Sequence, residues 1–161
     1  MRSDFAQPIS VLWWALTLAW AALIFHLSTQ AFAPDFSRAL LAAALHFLHL
    51  RVSARTFAVL HIFLRKFAHV TEYAIFALFL YGRPGKDWQW SPRRALICIL
   101  AAAAYSLTDE YHQLFVAGRH ASLLDCGLDT LGASLAMVVP YTLSQVSLFR
   151  PTISSPRIGA V

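Results

Sequence analysis

The sequence predicts an all-α integral membrane protein, a bundle of four transmembrane helices with an interfacial amphipathic helix between the first and the second. Three observations lead to this fold class. Of the 161 residues, 58% are hydrophobic and only 13% are charged, whereas soluble domains carry about 25% charged residues. Several apolar runs approach the roughly 20 residues that cross a bilayer. Charged residues lie mostly at the ends of these runs or between them. We expect a single domain over residues 1–161, since no internal repeat divides the chain.

The net charge of +5 bears on membrane topology and on contact with anionic lipid. The basic residues form no stripe with interleaved aromatics, which argues against a nucleic-acid partner. An even number of spans puts both termini on one side, together with the four basic residues of the turn at 82–94. This compact basic turn predicts that the termini are cytoplasmic.

A nearly unbroken apolar run at about residues 9–27 predicts the first span. The run is longer than the roughly 7–15 residues of a signal-peptide core. Pro34 also follows Ala31-Phe32-Ala33 directly, at a position that signal peptidase tolerates poorly. We therefore expect a retained membrane helix.

Residues 36–50 predict an amphipathic helix on the membrane surface. Apolar side chains recur at helical spacing from Phe36 to Leu48, while Arg38, His49 and Arg51 lie largely off that stripe. An apolar stripe flanked by charge is typical of a helix lying in the interface.

The three remaining spans are predicted at about residues 62–82, 95–116 and 124–148. Arg65 and Lys66 interrupt the second span, in which Arg65, His69 and Glu72 share one helix face. The fourth span carries small residues that allow close helix packing. Pro140 is expected to kink it.

Four polar residues near the end of the third span are the strongest functional candidates, namely Asp109, Glu110, His112 and Gln113. Charges near a bilayer are costly and tend to mark function. Four polar positions so close together exceed what packing requires. We therefore expect any catalysis to lie with these four side chains.

Consecutive spans alternate in direction, so the start of the second, the end of the third and the start of the fourth lie at one depth. A single cluster of mixed charge is expected there, in which bases offset acids. The residues expected to bind a ligand are Lys66, Arg119, Arg65, His69, Glu72, Asp125 and Asp129.

These residues form an ordered motif that resembles the VanZ-like membrane proteins. The motif runs Lys66-x-x-His69-x-x-x-Tyr73, then Asp109-Glu110-x-His112-Gln113-x-Phe115-x-x-Gly118-Arg119, then Asp125 and Gly132. The resemblance implies a bacterial inner-membrane protein linked to the cell envelope. It also implies a connection with low-level resistance to the glycopeptide antibiotic teicoplanin, with which the family's prototype is associated.

Three positions depart from the family pattern. Arg65 stands where the family often has an acid, Ala117 where it commonly has proline, and Asp129 where it often has asparagine. The first of these substitutions reverses a charge.

The mixed-charge cluster suits a site for a lipid headgroup or phosphate. Arg65, Lys66 and Arg119 could grip a phosphorylated lipid. The carboxylates with His69 or His112 could orient these bases or transfer protons. The ligand would then be a polyprenyl-phosphate carrier or a peptidoglycan precursor among the membrane lipids.

Three alternatives stay open. His69-x-x-Glu72 and Asp109-x-x-His112 each place two ligands on one helix face, which suits a divalent metal in a membrane lipid hydrolase, an interpretation ranked below the lipid site. The cluster could instead only pin the helices of a structural scaffold. Intramembrane carboxylates also mark proton and ion paths, for which four short spans would need to oligomerise.

Overall fold

The computed structural model describes residues 8–29, 34–82, 89–116 and 121–148. These residues form six α-helices and contain no strand, which confirms the prediction of an all-α protein. The helices are α1 (Pro8–Leu27), α2 (Pro34–Phe47), α3 (Ala54–Tyr81), α4 (Pro92–Gln113), α5 (Leu123–Ala136) and α6 (Val138–Leu148).

Helix starts follow local capping chemistry. The Ser53 hydroxyl accepts a hydrogen bond from the Thr56 N–H at 3.1 Å, so α3 begins at Ala54, well before the span predicted from residue 62. Ser91 is the N-cap of α4, and Pro92 follows in the first turn, where its missing N–H costs nothing.

The helix α2 ends at Phe47, short of the predicted end at residue 50. The reason is a C-terminal cap in which His49 takes a positive φ of 55°. The Leu50 N–H then bonds to the Leu45 carbonyl at 2.9 Å, the backward bond of a Schellman motif.

The predicted fourth span is divided into α5 and α6 by a turn at Met137. Pro140 explains the position of the break. Its ring nitrogen has no hydrogen to offer the Ala136 carbonyl four residues earlier, and its ring crowds that carbonyl. The sequence predicted a kink at Pro140, and the structure has a turn three residues earlier, at Met137.

Side-chain contacts show that neighbouring helices alternate in direction. The indole N–H groups of Trp13 and Trp20 donate to the carbonyls of Phe79 and Glu72, at 2.8 and 3.0 Å. A later residue of α1 thus meets an earlier residue of α3, so these helices are antiparallel. The same reasoning makes α4 antiparallel to α5, through Ser106 with Asp129 and Glu110 with Ser122.

The helix α3 lies at the centre of the bundle and contacts α1, α2, α4 and α5. Its closest approach is to α5, where a Cβ on Gly132 would lie 2.3 Å from the Val70 carbonyl oxygen. The glycine therefore brings two backbones together. The core around this contact contains Ile24, Tyr73, Phe76, Ala77, Tyr81, Ala95, Cys98, Ala102, Ala133, Ala136 and Met137.

Among the described residues, one helical stretch, Leu123–Val146, is long and apolar enough to cross a membrane by length and composition. The apolar helices Val11–Leu27 and Phe36–Phe47 are shorter. At 1.5 Å per residue, the 28 residues of α3 and the 22 residues of α4 are each longer than the roughly 30 Å of a bilayer's hydrocarbon core. The charged residues of these two helices, however, lower their mean hydropathy. The four-span bundle therefore stays a prediction.

Candidate functional site

Polar side chains from α1, α3, α4 and α5 meet at one end of the bundle. Five of them form what we call the acidic cluster, namely His69, Tyr73, Asp109, Glu110 and Asp129. The alternating helix directions bring together the first half of α5, the end of α4 and the middle of α3. The convergence expected from the sequence is therefore seen in the structure.

Asp109 lies near the end of α4 and is only 2% exposed. Its Oδ2 accepts hydrogen bonds from the Ser28 hydroxyl at 2.7 Å and from the Gln113 amide at 3.2 Å. Ser28 follows the last turn of α1 and is itself buried. This carboxylate thus ties the end of α1 to α4.

Asp129 faces Asp109 from α5 and is 1% exposed. Its Oδ2 accepts a hydrogen bond from the buried Ser106 hydroxyl at 2.6 Å. Its Oδ1 lies 3.5 Å from Nδ1 of His69, close enough for an ion pair and long for a hydrogen bond. Asp129 therefore joins α5 to both α4 and α3.

Glu110 is 5% exposed and serves the start of α5. Its Oε2 accepts a hydrogen bond from the Ser122 N–H at 2.6 Å. Ser122 is the N-cap position of α5, where backbone N–H groups have no partner within the helix. A carboxylate there also suits the positive end of the helix dipole.

Five buried side-chain atoms of the described residues have no hydrogen-bond partner, and all five belong to the acidic cluster. They are His69 Nδ1, Tyr73 OH, Asp109 Oδ1, Glu110 Oε1 and Asp129 Oδ1. Buried polar atoms are normally hydrogen-bonded, because an unmade bond costs about 1–3 kcal/mol. Two of these atoms, His69 Nδ1 and Asp129 Oδ1, form the 3.5 Å ion pair, so the unsatisfied groups lie close together in the bundle.

The cluster has a partly exposed rim and an adjoining cleft. At the rim, Lys66 Nζ contacts Asp125 Oδ1 at 2.5 Å, and the two side chains are 46% and 25% exposed. The cleft, of about 140 Å³, lies where the end of α1 meets α2 and α3. It is lined by Leu27, Ser28, Ser37, Arg65, Ala68, His69 and Glu72.

The structure thus unites most of the residues predicted as a site. The acidic cluster and its neighbour Gln113 form the interior. Lys66 and Asp125 form the rim, and Arg65 and Glu72 line the cleft.

His112, although predicted as a site residue, does not join the acidic cluster. Its half-buried ring packs against the Phe25 ring, with 4.5 Å between centroids. Arg119 lies outside the described residues.

Three side chains at this site were not among the site residues predicted from the sequence, namely Tyr73 of the acidic cluster and the serines Ser28 and Ser106 that bond to its aspartates. A polar residue at the end of an apolar run is the signal that could have singled out Ser28. For Ser106, its position one turn before Asp109 on α4 was the available signal.

The described residues contain no group of three or more His, Cys, Asp or Glu side chains that could hold a metal ion. His69 and Glu72 line the cleft, whereas His112 packs on Phe25 instead of joining Asp109. The two ligand pairs of the metal hypothesis therefore do not combine into one shell among these residues.

Comparison with known proteins gives one positive finding. A family model described as VanZ/LLP1 matches residues 13–144. No curated protein and no solved structure matches the chain.

Proposed function

This chain belongs to the VanZ/LLP1 family, which is generally membrane-associated, and from that premise we propose that it is a cell-envelope protein that binds a phosphorylated lipid. The ligand class is a polyprenyl phosphate or a peptidoglycan precursor, and its phosphate enters the cleft between α1, α2 and α3. VanZ-like proteins are broadly linked to glycopeptide resistance. Engagement of an envelope lipid would change susceptibility to a glycopeptide such as teicoplanin.

The proposal places four spans in the bacterial inner membrane, formed by α1, α3, α4 and the α5–α6 pair, with cytoplasmic termini. The distribution of side chains supports it. Phe63 and Phe67 on α3 are 63% and 59% exposed, whereas Asp109 and Asp129 are almost completely buried. Large apolar patches are a liability in water, but in a bilayer they contact lipid. The exposed apolar side chains of α2 suit a helix in the interface.

The cleft is the observation that carries the lipid proposal. Arg65 offers a planar fork of donors that matches a phosphate group. Ser28 and Ser37 also line the cleft, and their hydroxyls bond to Asp109 and His61. Its volume of about 140 Å³ is below the roughly 300–1,000 Å³ of sites for drug-sized ligands. The cleft therefore suits a headgroup whose acyl or prenyl chain stays outside, along the apolar surface.

Native mass spectrometry of the purified protein with a polyprenyl phosphate tests the proposal, with phosphatidylglycerol as the competing lipid. The wild type should retain the polyprenyl phosphate, and Arg65→Ala should weaken binding about tenfold or more, equivalent to about 1.4 kcal/mol. Arg55→Ala is the matched control, because Arg55 is an exposed arginine on the same helix, outside the cleft. Equal binding by the two variants would rule out the cleft as the lipid site.

A scaffold role is the second candidate, favoured by the contacts that the carboxylates make between helices. Asp109 with Ser28, Asp129 with Ser106, and Glu110 with the start of α5 each tie two elements together. Asp109→Asn separates the candidates. A parallel fall in protein abundance and in activity favours the scaffold, whereas altered lipid binding at full abundance favours the site.

A further inference from the structure

The interior of the acidic cluster holds more acids than bases. Asp109, Glu110 and Asp129 are all at most 5% exposed. Of the described basic side chains, His69 lies beside them, and Lys66 is held by Asp125 at the rim. Three ionised carboxylates in so buried a place would strongly destabilise the fold.

The other titratable groups around these side chains add little positive charge. They are Glu72 and Tyr73 on α3, Tyr105 and Glu110 on α4, and Asp125 and Cys126 on α5. From α1, the described neighbour is the neutral Ser28 hydroxyl. Two carboxylates that share one such environment do not both ionise readily.

The hydrogen bonding of the two aspartates also favours a neutral carboxyl group. Asp109 and Asp129 each have one oxygen bonded to a serine hydroxyl and one oxygen without a hydrogen-bond partner, and the latter oxygen of Asp129 lies 3.5 Å from His69 Nδ1. Tyr73 is an independent sign, because it is 0% exposed, its hydroxyl has no partner, and it lies within electrostatic range of both aspartates. An ionised carboxylate only accepts hydrogen bonds, whereas a protonated one can also donate. A proton on either aspartate would therefore turn an oxygen that lacks a donor into a hydroxyl and remove a buried charge.

We propose that Asp109 and Asp129 form a proton-binding site inside the bundle, and that His69 connects this site to the cleft. His69 is suited to that role by position. Its ring lines the cleft, and its Nδ1 lies 3.5 Å from the unpartnered oxygen of Asp129. An imidazole can receive a proton on one nitrogen and release one from the other. The inference goes beyond lipid binding and holds whether or not a lipid enters the cleft.

Infrared spectroscopy of the purified protein in lipid vesicles tests for the stored proton. A protonated carboxyl absorbs above the amide I band, where a carboxylate does not. At neutral pH, the wild type should show such a band, and selective ¹³C labelling of the aspartate carboxyls should shift it. Asp109→Asn and Asp129→Asn should each abolish the band, and Asp125→Asn, at the rim, should leave it unchanged.

If the variants fail to fold, the infrared spectrum of the wild type alone tests the proposal. Absence of an aspartate carboxyl band between about pH 5 and pH 8, the range in which a histidine link titrates, overturns the proposal. A band that responds to Asp125→Asn and to neither interior variant overturns it as well.

The connection through His69 has its own measurement. In D₂O the carboxyl band shifts as its proton is replaced by deuterium. His69→Gln should slow this replacement about a hundredfold, the low end of what a positioned acid–base group contributes to proton transfer. His46→Gln, an exposed histidine on α2, is the matched control and should exchange at the wild-type rate. An unchanged rate in His69→Gln removes His69 from the path.

Discussion

Two tyrosines on α3, Tyr73 and Tyr81, are both almost completely buried, yet their hydroxyls differ in hydrogen bonding. The Tyr81 hydroxyl donates to the Gln89 carbonyl at 2.8 Å and accepts from the Ser91 N–H at 3.0 Å. Arg94 donates to the Tyr81 carbonyl, and its guanidinium lies 4.5 Å from the ring centroid. The Tyr73 hydroxyl, at the acidic cluster, has no partner.

The two tyrosines represent two kinds of buried polar group. One kind stabilises the fold through hydrogen bonds that are all made, and the other has polar atoms whose hydrogen bonds are not made. Around Tyr81, both hydroxyl bonds are made and the nearby cation rests on an aromatic face, so this network joins α3 to the start of α4. Around Tyr73, polar atoms are equally buried but remain unsatisfied. Partly satisfied buried networks are destabilising, so the acidic cluster is the stronger candidate for a functional site of the two.

The largest expected effect comes from Gly132→Val, which would break the α3–α5 contact beneath the acidic cluster. Even a Cβ at this position would lie 2.3 Å from the Val70 carbonyl oxygen, and overpacking of this kind costs about 1–3 kcal/mol or more. We expect a loss of about 3 kcal/mol, measured as unfolding of the purified protein in detergent.

Gly127→Ala is the matched control for that variant. Nothing lies within 4 Å of a Cβ at Gly127, and alanine is favoured over glycine inside a helix by about 0.5–1 kcal/mol. This variant should be as stable as the wild type or more so. Equal stability of the two glycine variants would contradict the close approach of α5 to α3.

The two tyrosines provide a direct test of the comparison. Tyr81→Phe should cost about 1–3 kcal/mol, because it leaves the Ser91 N–H and the Gln89 carbonyl without their partner. Tyr73→Phe should be neutral or slightly stabilising, since it removes a buried hydroxyl that bonds to nothing among the described residues. Unfolding in detergent measures both. A larger loss for Tyr73→Phe would show that the acidic cluster is also a structural network.

The smallest effect is expected at the rim of the acidic cluster. Lys66 and Asp125 form an ion pair whose side chains are 46% and 25% exposed, and exposed pairs contribute about 0.2–1 kcal/mol. A double-mutant cycle with Lys66→Met and Asp125→Asn should therefore give a coupling energy below about 1 kcal/mol. A coupling of several kcal/mol would place the pair with the buried interior instead of the rim.

Much of the helical architecture follows from local sequence. Serine caps at Ser53 and Ser91 and the proline at Pro92 explain where α3 and α4 begin, and each acts within one turn of its own position. Pro140 was expected to disturb the last span, and α5 ends four residues before it. The end of α2 was missed because a histidine, and not the usual glycine, adopts the positive φ.

The candidate site was predictable in outline and not in detail. Helix periodicity and alternating directions were enough to bring His69, Asp109 and Asp129 to one end. The partners of these residues were not predictable, since Ser28 and Asp109 are 81 positions apart in the chain. Such a contact depends on how far each helix is rotated and shifted against its neighbour.

By itself, the sequence determined that the chain is helical, where most helices begin, and which polar residues share a level, because capping and periodicity act over a few residues. Only the tertiary structure decided which carboxylate oxygens are bonded and which are left without a partner. It also decided that His112 packs on Phe25 while His69 reaches Asp129. The physical reason is that these contacts depend on how neighbouring helices approach one another. At Gly132, for example, the spacing of α3 and α5 depends on a backbone contact that no single segment encodes.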